Sequence, residues 1–285
     1  MKTYREILAE AKAGKIAIGH FNFATFEMLW GIVRASRSVG VPVLLGLAEG
    51  ERDWVGVKTA VAMVRSIREE LDWPIYLNTD HTYSFERVKE AIDAGFDSVI
   101  FDGAKLGMEE NLKITKQCVD YAREVTKREG RDILVEAELG YIGEGSSVKD
   151  TLPEDLEMTS VVDAVRFVTE TGIDLFAPAV GNVHGMLRTH ANPAIDIARV
   201  SEIAGAVGVP LVLHGGSGAP NLSEAVSAGI SVVHISTEIR RAWHDALLIH
   251  LEEFPDDIAP YKVAAGARDA VELVVTERLR LFASK

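Results

Sequence analysis

The sequence contains Leu211-Val212-Leu213-His214-Gly215-Gly216-Ser217-Gly218, in which a short apolar run ends in a histidine and a glycine-rich turn. Residues 221–228 follow with the apolar spacing of a helix. An apolar run of this length, bounded by turn residues, is typical of a buried strand. The segment therefore predicts one strand–turn–helix unit, and Gly229 stands where such a helix commonly ends.

The same unit recurs along the whole chain. Gly95, Gly172 and Gly208 also follow helix-like stretches and are predicted helix stops. Eight such units without a linker-like break predict one α/β domain over residues 1–285, a (β/α)8 TIM barrel. A doubly wound sheet is the main alternative, but the glycine-rich turn after the first strand that is typical of that fold is missing. The predicted strands are Ile16–Phe23, Val43–Leu47, Ile75–Thr79, Ser98–Phe101, Ile133–Ala137, Leu175–Pro178, Leu211–Leu213 and Val232–Ile235.

Composition excludes several classes of partner. The chain has 285 residues, of which 47% are hydrophobic, and a net charge of −13. The charge argues against nucleic acids and anionic membranes as partners, and no apolar stretch approaches the ~20 residues of a membrane span. Cys118 is the only cysteine, so an intrachain disulfide is excluded. We expect a cytoplasmic protein in which Cys118 is a buried, unreactive thiol.

Three histidines follow apolar runs at the ends of predicted strands, namely His81, His184 and His214. In a parallel barrel these strand ends meet on one face, which carries the chemistry. Three imidazoles on that face predict a divalent metal site with open coordination. Asp80 is expected either to transfer protons or orient a ligand, or simply to act as a rim carboxylate or helix cap.

Two further features belong to the same face. The Gly215–Gly218 turn favours phosphate binding at the start of the following helix over a plain turn. The connection from Leu139 to Glu157 is rich in glycine and serine, and its length predicts a mobile lid. Strand six contains no lysine, which argues weakly against a Schiff-base mechanism.

Five ordered motifs resemble the class II, zinc-dependent fructose-bisphosphate and tagatose-bisphosphate aldolase family over about Ile16 to Trp243. The motifs are Thr79-Asp80-His81, the Asp102-Gly103 and Glu109-Glu110-Asn111 region, Val135–Gly140, Gly181–Gly185 and His214–Gly218. The resemblance implies reversible cleavage of fructose 1,6-bisphosphate into dihydroxyacetone phosphate and glyceraldehyde 3-phosphate. It also implies a monovalent cation near the substrate phosphate, and a homodimer or homotetramer.

The resemblance assigns roles to individual residues. It implies that His81, His184 and His214 hold zinc, and that Asp80 exchanges a proton with the aldehyde-derived oxygen. Without the resemblance, Asp102 and Glu138 are either oxygen ligands or partners of nearby cations; with it, they match an alternate metal position. The residues that it implies for substrate or phosphate binding are Asn22, Gly185, Arg188, Gly215, Ser217 and Thr237.

The sequence departs from the family pattern at positions that bear on substrate binding and on proton transfer. His234 and Ser236 stand in the segment after strand eight, where the family usually has an asparagine at position 234, and we include both among the substrate-binding residues. Ala48 replaces a typical serine after strand two. Ser146 occupies the place of the family's loop glutamate, so Glu144, two residues earlier, is the candidate acid–base residue.

Three alternatives to a fructose-bisphosphate aldolase remain at this stage. The first is an aldolase whose substrate is tagatose 1,6-bisphosphate or another phosphorylated ketose. The second is a protein that binds a phosphosugar but has lost turnover. A metal-dependent isomerase on the same barrel has no support in the motifs. The C-terminal stretch Ala264–Phe282 has an apolar face that suits either a subunit contact or packing on its own barrel.

Overall fold

A closed barrel of eight parallel strands forms the centre of the molecule. The computed structural model describes residues 1–152 and 156–284. The barrel strands are β1 (Ile18–Asn22), β2 (Val43–Leu47), β3 (Ile75–Thr79), β4 (Ser98–Phe101), β5 (Leu134–Leu139), β7 (Leu175–Pro178), β9 (Leu211–Leu213) and β10 (Ile230–Ile235). Each pairs with the next, and β10 pairs with β1 to close the ring. The predicted (β/α)8 barrel is confirmed, and the doubly wound alternative is wrong.

The predicted strand positions agree closely with the observed ones. The main difference is β5, which continues through Leu139, so that Glu138 lies inside the strand rather than after it. Two short strands outside the barrel, β6 (Val148–Lys149) and β8 (Met186–Leu187), pair with each other. This small ladder joins the predicted lid to the segment after His184.

Helices surround the barrel, and their ends follow local sequence signals. Thr3 and Glu6 form a reciprocal capping box at the start of the first helix. Gly95 and Gly172 adopt φ values of 109° and 68° at helix C-termini, as predicted. Gly208 does not, because its helix already ends at Ala206. The helices are α1 (Tyr4–Gly14), α2 (Phe26–Val39), α3 (Glu49–Val55), α4 (Val57–Leu71), α5 (Phe85–Ala94), α6 (Met108–Glu129), α7 (Val161–Thr171), α8 (Ile197–Ala206), α9 (Leu222–Ala228), α10 (Thr237–Glu253), α11 (Pro260–Val263) and α12 (Ala265–Ala283).

Apolar side chains fill the N-terminal end of the barrel. Ile18, Leu44 and Val232 point inward there and pack against Tyr4 and Leu8 of α1, which closes this end. The polar inward-facing residues of the same strands therefore lie at the opposite, C-terminal end. This distribution places the chemistry on the face predicted from the sequence.

Helix α12 packs on its own barrel. It buries Val271, Val275, Leu279 and Phe282 completely or nearly so, and it contacts α2 and α10. Its apolar face is therefore used inside the subunit.

Two expectations about single features can be compared directly with the structure. Cys118 is fully buried, and burial raises the pKa of its thiol to about 12, which confirms the expected unreactive thiol. Across residues 1–152 and 156–284, no helix combines the length and hydropathy that crossing a membrane requires.

Candidate active site

Three histidine rings converge at the C-terminal end of the barrel. Ring centroids lie 4.5 Å apart for His81 and His184, 4.9 Å for His81 and His214, and 6.2 Å for His184 and His214. The Nε2 atoms of His81 and His184 are 3.0 Å apart. Two ring nitrogens at this distance require a proton or another cation between them. The predicted convergence is confirmed.

Carboxylates hold the outward nitrogens of two of these rings. The Nδ1 atom of His81 donates to Asp102 Oδ2 at 2.8 Å, and the Nε2 atom of His214 donates to Glu136 Oε1 at 2.7 Å. His214 Nδ1 is buried and lies 3.0 Å from Glu138 Oε1, without the geometry of a hydrogen bond to any described residue. Metal-ligating histidines commonly have a carboxylate on the other nitrogen, so this donor set fits a divalent cation such as zinc.

Glu138 lies beside the same cluster. Its Oε1 atom is 3.0 Å from His214 Nδ1 and 3.0 Å from His81 Nδ1. Burial raises the pKa of Glu138, but the charges of His214 and His81 outweigh it and hold this pKa well below its ordinary value. An ionised oxygen is therefore available next to the histidines.

The three histidines differ in protonation because their neighbours differ. Burial opposes protonation of His81, but Asp80 and Glu138 hold its pKa well above the ordinary value. The pKa of His214 is raised to about 10, since Glu138 and Glu136 outweigh burial. Burial and the charge of His81 lower the pKa of His184 to about 3.

Asp80 is buried and held from two sides. Its Oδ2 accepts a hydrogen bond from Asn22 Nδ2 at 2.8 Å, and its Oδ1 lies 3.3 Å from His234 Nδ1. Burial raises the pKa of Asp80, but the neighbouring histidines, His81 foremost, hold it well below its usual range. Asp80 is therefore an ionised carboxylate in a fixed orientation.

His234 is the middle ring of a stack of three imidazoles. The ring of His20 lies 3.5 Å away at 6°, and that of His214 lies 4.1 Å away at 22°. Nitrogen lone pairs lie in the ring plane, so stacked rings cannot direct them at one ion. Although ligand atoms of His20, Asp80 and His234 lie within 4.8 Å of one another, this group does not fit a second metal. The stack instead fixes His234 against Asp80.

A buried arginine supports the turn that carries His81. His81 has a φ of 34°, in the left-handed region that non-glycine residues rarely adopt. Arg52 donates to the carbonyls of Leu47 at 2.8 Å and Asp80 at 3.2 Å, and to Thr82 Oγ1 at 3.0 Å. These contacts stabilise a turn that would otherwise be strained.

The inner cavity lies beside the histidines and contains most of the predicted substrate residues. The hydroxyl-bearing residues that line it are Ser146, Ser217, Ser236 and Thr237. Ser236 Oγ is buried and has no hydrogen-bond partner among the described residues. The residues lining this cavity are Asn22, Asp80, His81, Ser146, His184, Gly185, His214, Gly215, Ser217, His234, Ser236 and Thr237.

The glycine-rich turn differs in detail from the expectation. The N–H of Gly216 donates to His234 O, and the N–H of Gly218 donates to Glu238 Oε1, so neither is free for a phosphate. Gly215 is required for packing, because a Cβ there would lie 2.3 Å from Val183 O. The helix that begins at the cavity is α10, which starts at Thr237, rather than α9 as predicted. Ser217 Oγ reaches the start of α10 and accepts from the N–H of Glu238 at 3.4 Å.

The outer cavity opens on the solvent side of the same histidines and has a volume of about 180 Å³. The predicted residues Asp102, Glu138 and Glu144 line it, together with Lys105 and Arg240. The Glu144 carboxylate pairs with Lys105 at the rim, and both side chains are more than half exposed. Part of the predicted lid, residues 153–155, lies outside the described residues, and the mobility of the lid stays a prediction.

Comparison with known proteins identifies the family. The sequence profile described as "Fructose-bisphosphate aldolase class-II" matches residues 2–285. The chain belongs to the class II fructose-bisphosphate aldolase family. The resemblance expected from the five motifs is thereby confirmed.

Individual members of the family align over nearly the full chain. A protein named fructose-bisphosphate aldolase from Geobacillus stearothermophilus is 37% identical, covering 98% of this chain and 96% of its own length. One of the same name from Staphylococcus aureus strain Mu50 is 34% identical with the same coverage. The crystal structure of the YdjI aldolase from Escherichia coli K12 superposes with a TM-score of 0.81 at 30% identity, covering 98% of this chain and 96% of that one.

One residue expected from the family is not brought to the site. Arg188 lines neither cavity, and its Nε donates to Asp150 Oδ1 at 2.8 Å on the exposed side of the β6–β8 ladder. Both side chains are largely exposed. In this arrangement Arg188 pairs with Asp150 outside both cavities, and its contact with substrate stays a prediction.

Sequence reasoning in turn missed several residues of this aldolase site. Glu136 had a usable signal, since it lies two residues before Glu138 on the same strand face. Glu51 and Arg240 had no such sequence signal, because they lie on helices. They belong to the site because Glu51 Oε2 accepts from Asn22 Nδ2 at 2.8 Å and Glu51 Oε1 accepts from Arg240 at 2.5 Å.

Proposed function

We propose that this protein catalyses reversible aldol cleavage of fructose 1,6-bisphosphate into dihydroxyacetone phosphate and glyceraldehyde 3-phosphate. The observation that carries the proposal is a cluster of three histidines, with carboxylates on two outward nitrogens, beside a cavity that contains an unpartnered buried hydroxyl. The names of the aligned relatives support the same activity.

The histidine cluster is the proposed zinc site, with His81, His184 and His214 as ligands. A divalent metal bound there would polarise the ketose carbonyl as a Lewis acid. Asp102 and Glu136 orient the rings by accepting their outward N–H groups. Glu138 is positioned to offer an oxygen at an alternate metal position.

Asp80 is the proposed proton acceptor. In the cleavage direction it takes the proton from the hydroxyl group whose collapse to a carbonyl breaks the carbon–carbon bond. Asn22 and His234 hold its two oxygens, so the carboxylate does not have to reorient during the reaction. Such preorganisation lowers the cost of reaching the transition state.

The inner cavity is the proposed site for one phosphate of the ketose. Ser217, Ser236 and Thr237 offer hydroxyl groups there, at the start of α10. The cavity volume is about 20 Å³. Since this is little more than one water occupies, phosphate entry requires the cavity wall to open.

Three further assignments rest on family membership and composition. These are a monovalent cation near this phosphate, assembly as a homodimer or homotetramer, and a cytoplasmic location. Size-exclusion chromatography with light scattering measures the assembly state directly.

A coupled assay for triose phosphate release tests the proposed reaction. We expect cleavage of fructose 1,6-bisphosphate by the zinc-loaded protein, loss of cleavage after chelation, and recovery on adding zinc. His81→Ala should abolish cleavage without changing the barrel's circular dichroism, whereas His244→Ala, which alters an exposed histidine of α10, should leave it intact. Full activity of chelated protein would refute the metal assignment, and substrate binding without triose release would identify a phosphosugar-binding protein.

A further inference from the structure

Glu51 is a buried carboxylate on α3 that contacts the site without lining either cavity. Its Oε2 atom accepts hydrogen bonds from Asn22 Nδ2 and from the N–H of Ala48, both at 2.8 Å. Its Oε1 atom accepts from Arg240 Nη2 at 2.5 Å. The guanidinium balances the buried negative charge, and the three donors fix both oxygens of the carboxylate. Among the described residues, Glu51 therefore acts on a ligand through these partners.

Asn22 is the partner of Glu51 that reaches the inner cavity. Its Nδ2 atom has two hydrogens, and it donates one to Glu51 Oε2 and the other to Asp80 Oδ2, both at 2.8 Å. A flipped amide would place Oδ1 against two carboxylate oxygens, so the two acidic residues permit only one orientation. Oδ1 is buried without a hydrogen-bond partner among the described residues, and Asn22 lines the inner cavity. The amide nitrogen is therefore committed to holding Asp80.

The orientation of the Asp80 carboxylate depends on this amide. Oδ2 accepts from Asn22, and Oδ1 lies 3.3 Å from His234 Nδ1. Without Glu51, the Asn22 amide loses one of the two acceptors that prevent it from flipping or turning away from Asp80. A carboxylate that has lost the donor on one oxygen can rotate about its Cβ–Cγ bond. Glu51 therefore controls the orientation of Asp80 through Asn22.

A fixed Asp80 carboxylate discriminates between two configurations of the substrate. In the proposed reaction it takes the proton of the hydroxyl on C4, the carbon at which the 1,6-bisphosphates of fructose and tagatose are epimers. The hydroxyl and the hydrogen on this carbon exchange places between the epimers. When the phosphate lies in the inner cavity and the carbonyl lies at the histidine cluster, only one configuration directs the hydroxyl at Asp80. A carboxylate that is free to rotate discriminates less.

We propose that Glu51 is a positioning residue that selects the C4 configuration of the ketose bisphosphate by locking the Asn22 amide against Asp80. The inference rests on the proposed function and adds to it the group that decides between the fructose and tagatose substrates. The quantity that Glu51 controls is the ratio of the two cleavage reactions, since a general loss of structure would lower both rates alike.

The ratio of kcat/KM for fructose 1,6-bisphosphate to that for tagatose 1,6-bisphosphate measures the selection. We expect the wild type to prefer the fructose epimer at least about tenfold. Glu51→Gln keeps the size of the side chain but removes its charge, so it should lower kcat/KM for the preferred epimer about tenfold, mainly through kcat, and change the other less than about threefold. Glu51→Asp keeps the charge but is too short to hold Asn22 and Arg240 together, so it should shift the ratio in the same direction. Asp53→Asn, which alters an exposed carboxylate of the same helix paired with Arg87, is the matched control and should keep the wild-type ratio.

A double-mutant cycle tests whether Glu51 acts through Asn22. In an Asn22→Ala background, Glu51→Gln should change the ratio less than about twofold, because the amide on which Glu51 acts is gone. An equal effect of Glu51→Gln in both backgrounds would overturn the proposal. A wild-type ratio within about twofold of unity, or an unchanged ratio in both Glu51 variants, would also overturn it.

A readout without turnover separates this inference from the activity itself. In NMR spectra of nitrogen-labelled protein, the side-chain amide of Asn22 is assigned by its absence from Asn22→Ala. Its protons should exchange slowly with solvent, because both are buried and hydrogen-bonded. Glu51→Gln should speed this exchange about tenfold or more, whereas Asp53→Asn should not. Unchanged exchange contradicts the proposed lock, whereas wild-type protein that has the slow amide but cleaves neither ketose contradicts the proposed function alone.

Discussion

The inner and outer cavities share His81 and His184 but are built largely from different parts of the chain. The inner wall consists mostly of residues at or just after strand ends, and Asn22, Ser217 and His234 are at least 95% buried there. The outer wall includes Lys105 and Glu144, which come from loops and are more than half exposed. The buried half is suited to holding reacting groups in one geometry, and the exposed half is suited to exchanging partners when substrate arrives.

The largest effect is expected at the buried wall. Asp80→Asn keeps the size of the side chain but removes the proton acceptor, so kcat should fall by roughly 10²–10⁴-fold while KM changes little. Steady-state kinetics with parallel metal analysis measures both. Asp245→Asn, an exposed position on α10, is the control. A fall of less than about tenfold in kcat would show that Asp80 is not the proton acceptor.

A smaller effect is expected for Glu136, which contacts the proposed zinc ligand His214 rather than the substrate. Glu136→Gln leaves an acceptor for His214 Nε2 but removes the negative charge, so the affinity for zinc should drop about 10- to 100-fold. Competition with a chelator of known affinity measures this, with the exposed Glu224→Gln as the control. Unchanged affinity would mean that Glu136 serves only barrel packing.

The same contrast explains how much of the site the sequence could predict. His81, His184 and His214 each follow a strand, and strands of a parallel barrel present their ends on one face, so their convergence could be predicted. The stack of His20 on His234 could not, because the two residues meet only through the β1–β10 register that closes the barrel.

Site residues on helices and loops were also harder to predict, because their contacts depend on how distant parts of the chain pair in the fold. Arg52 and Glu51 lie on α3. Nothing in their local sequence indicates that Arg52 contacts the loop after β3 or that Glu51 contacts Asn22. The pairing of Arg188 with Asp150 could not be predicted, because the two residues meet across the β6–β8 ladder. Pairing of short strands between distant loops leaves little local pattern, since two residues are too few for a periodicity.

The smallest expected effect concerns the exposed wall and decides which loop residue moves a proton. Ser146 occupies the family's glutamate position and lines both cavities, whereas Glu144 lines only the outer one. A serine hydroxyl does not ionise near neutral pH and is a poor general base, so the position in the cavities favours Ser146 and the chemistry favours Glu144. We expect Glu144 to move the proton, because among the described residues its carboxylate pairs with the exposed Lys105 and can leave it.

Exchange of the carbon-bound proton of dihydroxyacetone phosphate with solvent, followed by NMR, separates the two residues. Glu144→Gln should slow this exchange about tenfold, below the usual ~10²-fold of general acid–base catalysis because the loop positions the group loosely. Ser146→Ala should change it less than about twofold. Equal and negligible effects would remove Glu144 from the mechanism and leave the proton transfer to the buried wall. A larger effect of Ser146→Ala would contradict the assignment to Glu144, because the contact of residue 146 with Arg240 uses the backbone carbonyl and survives the substitution.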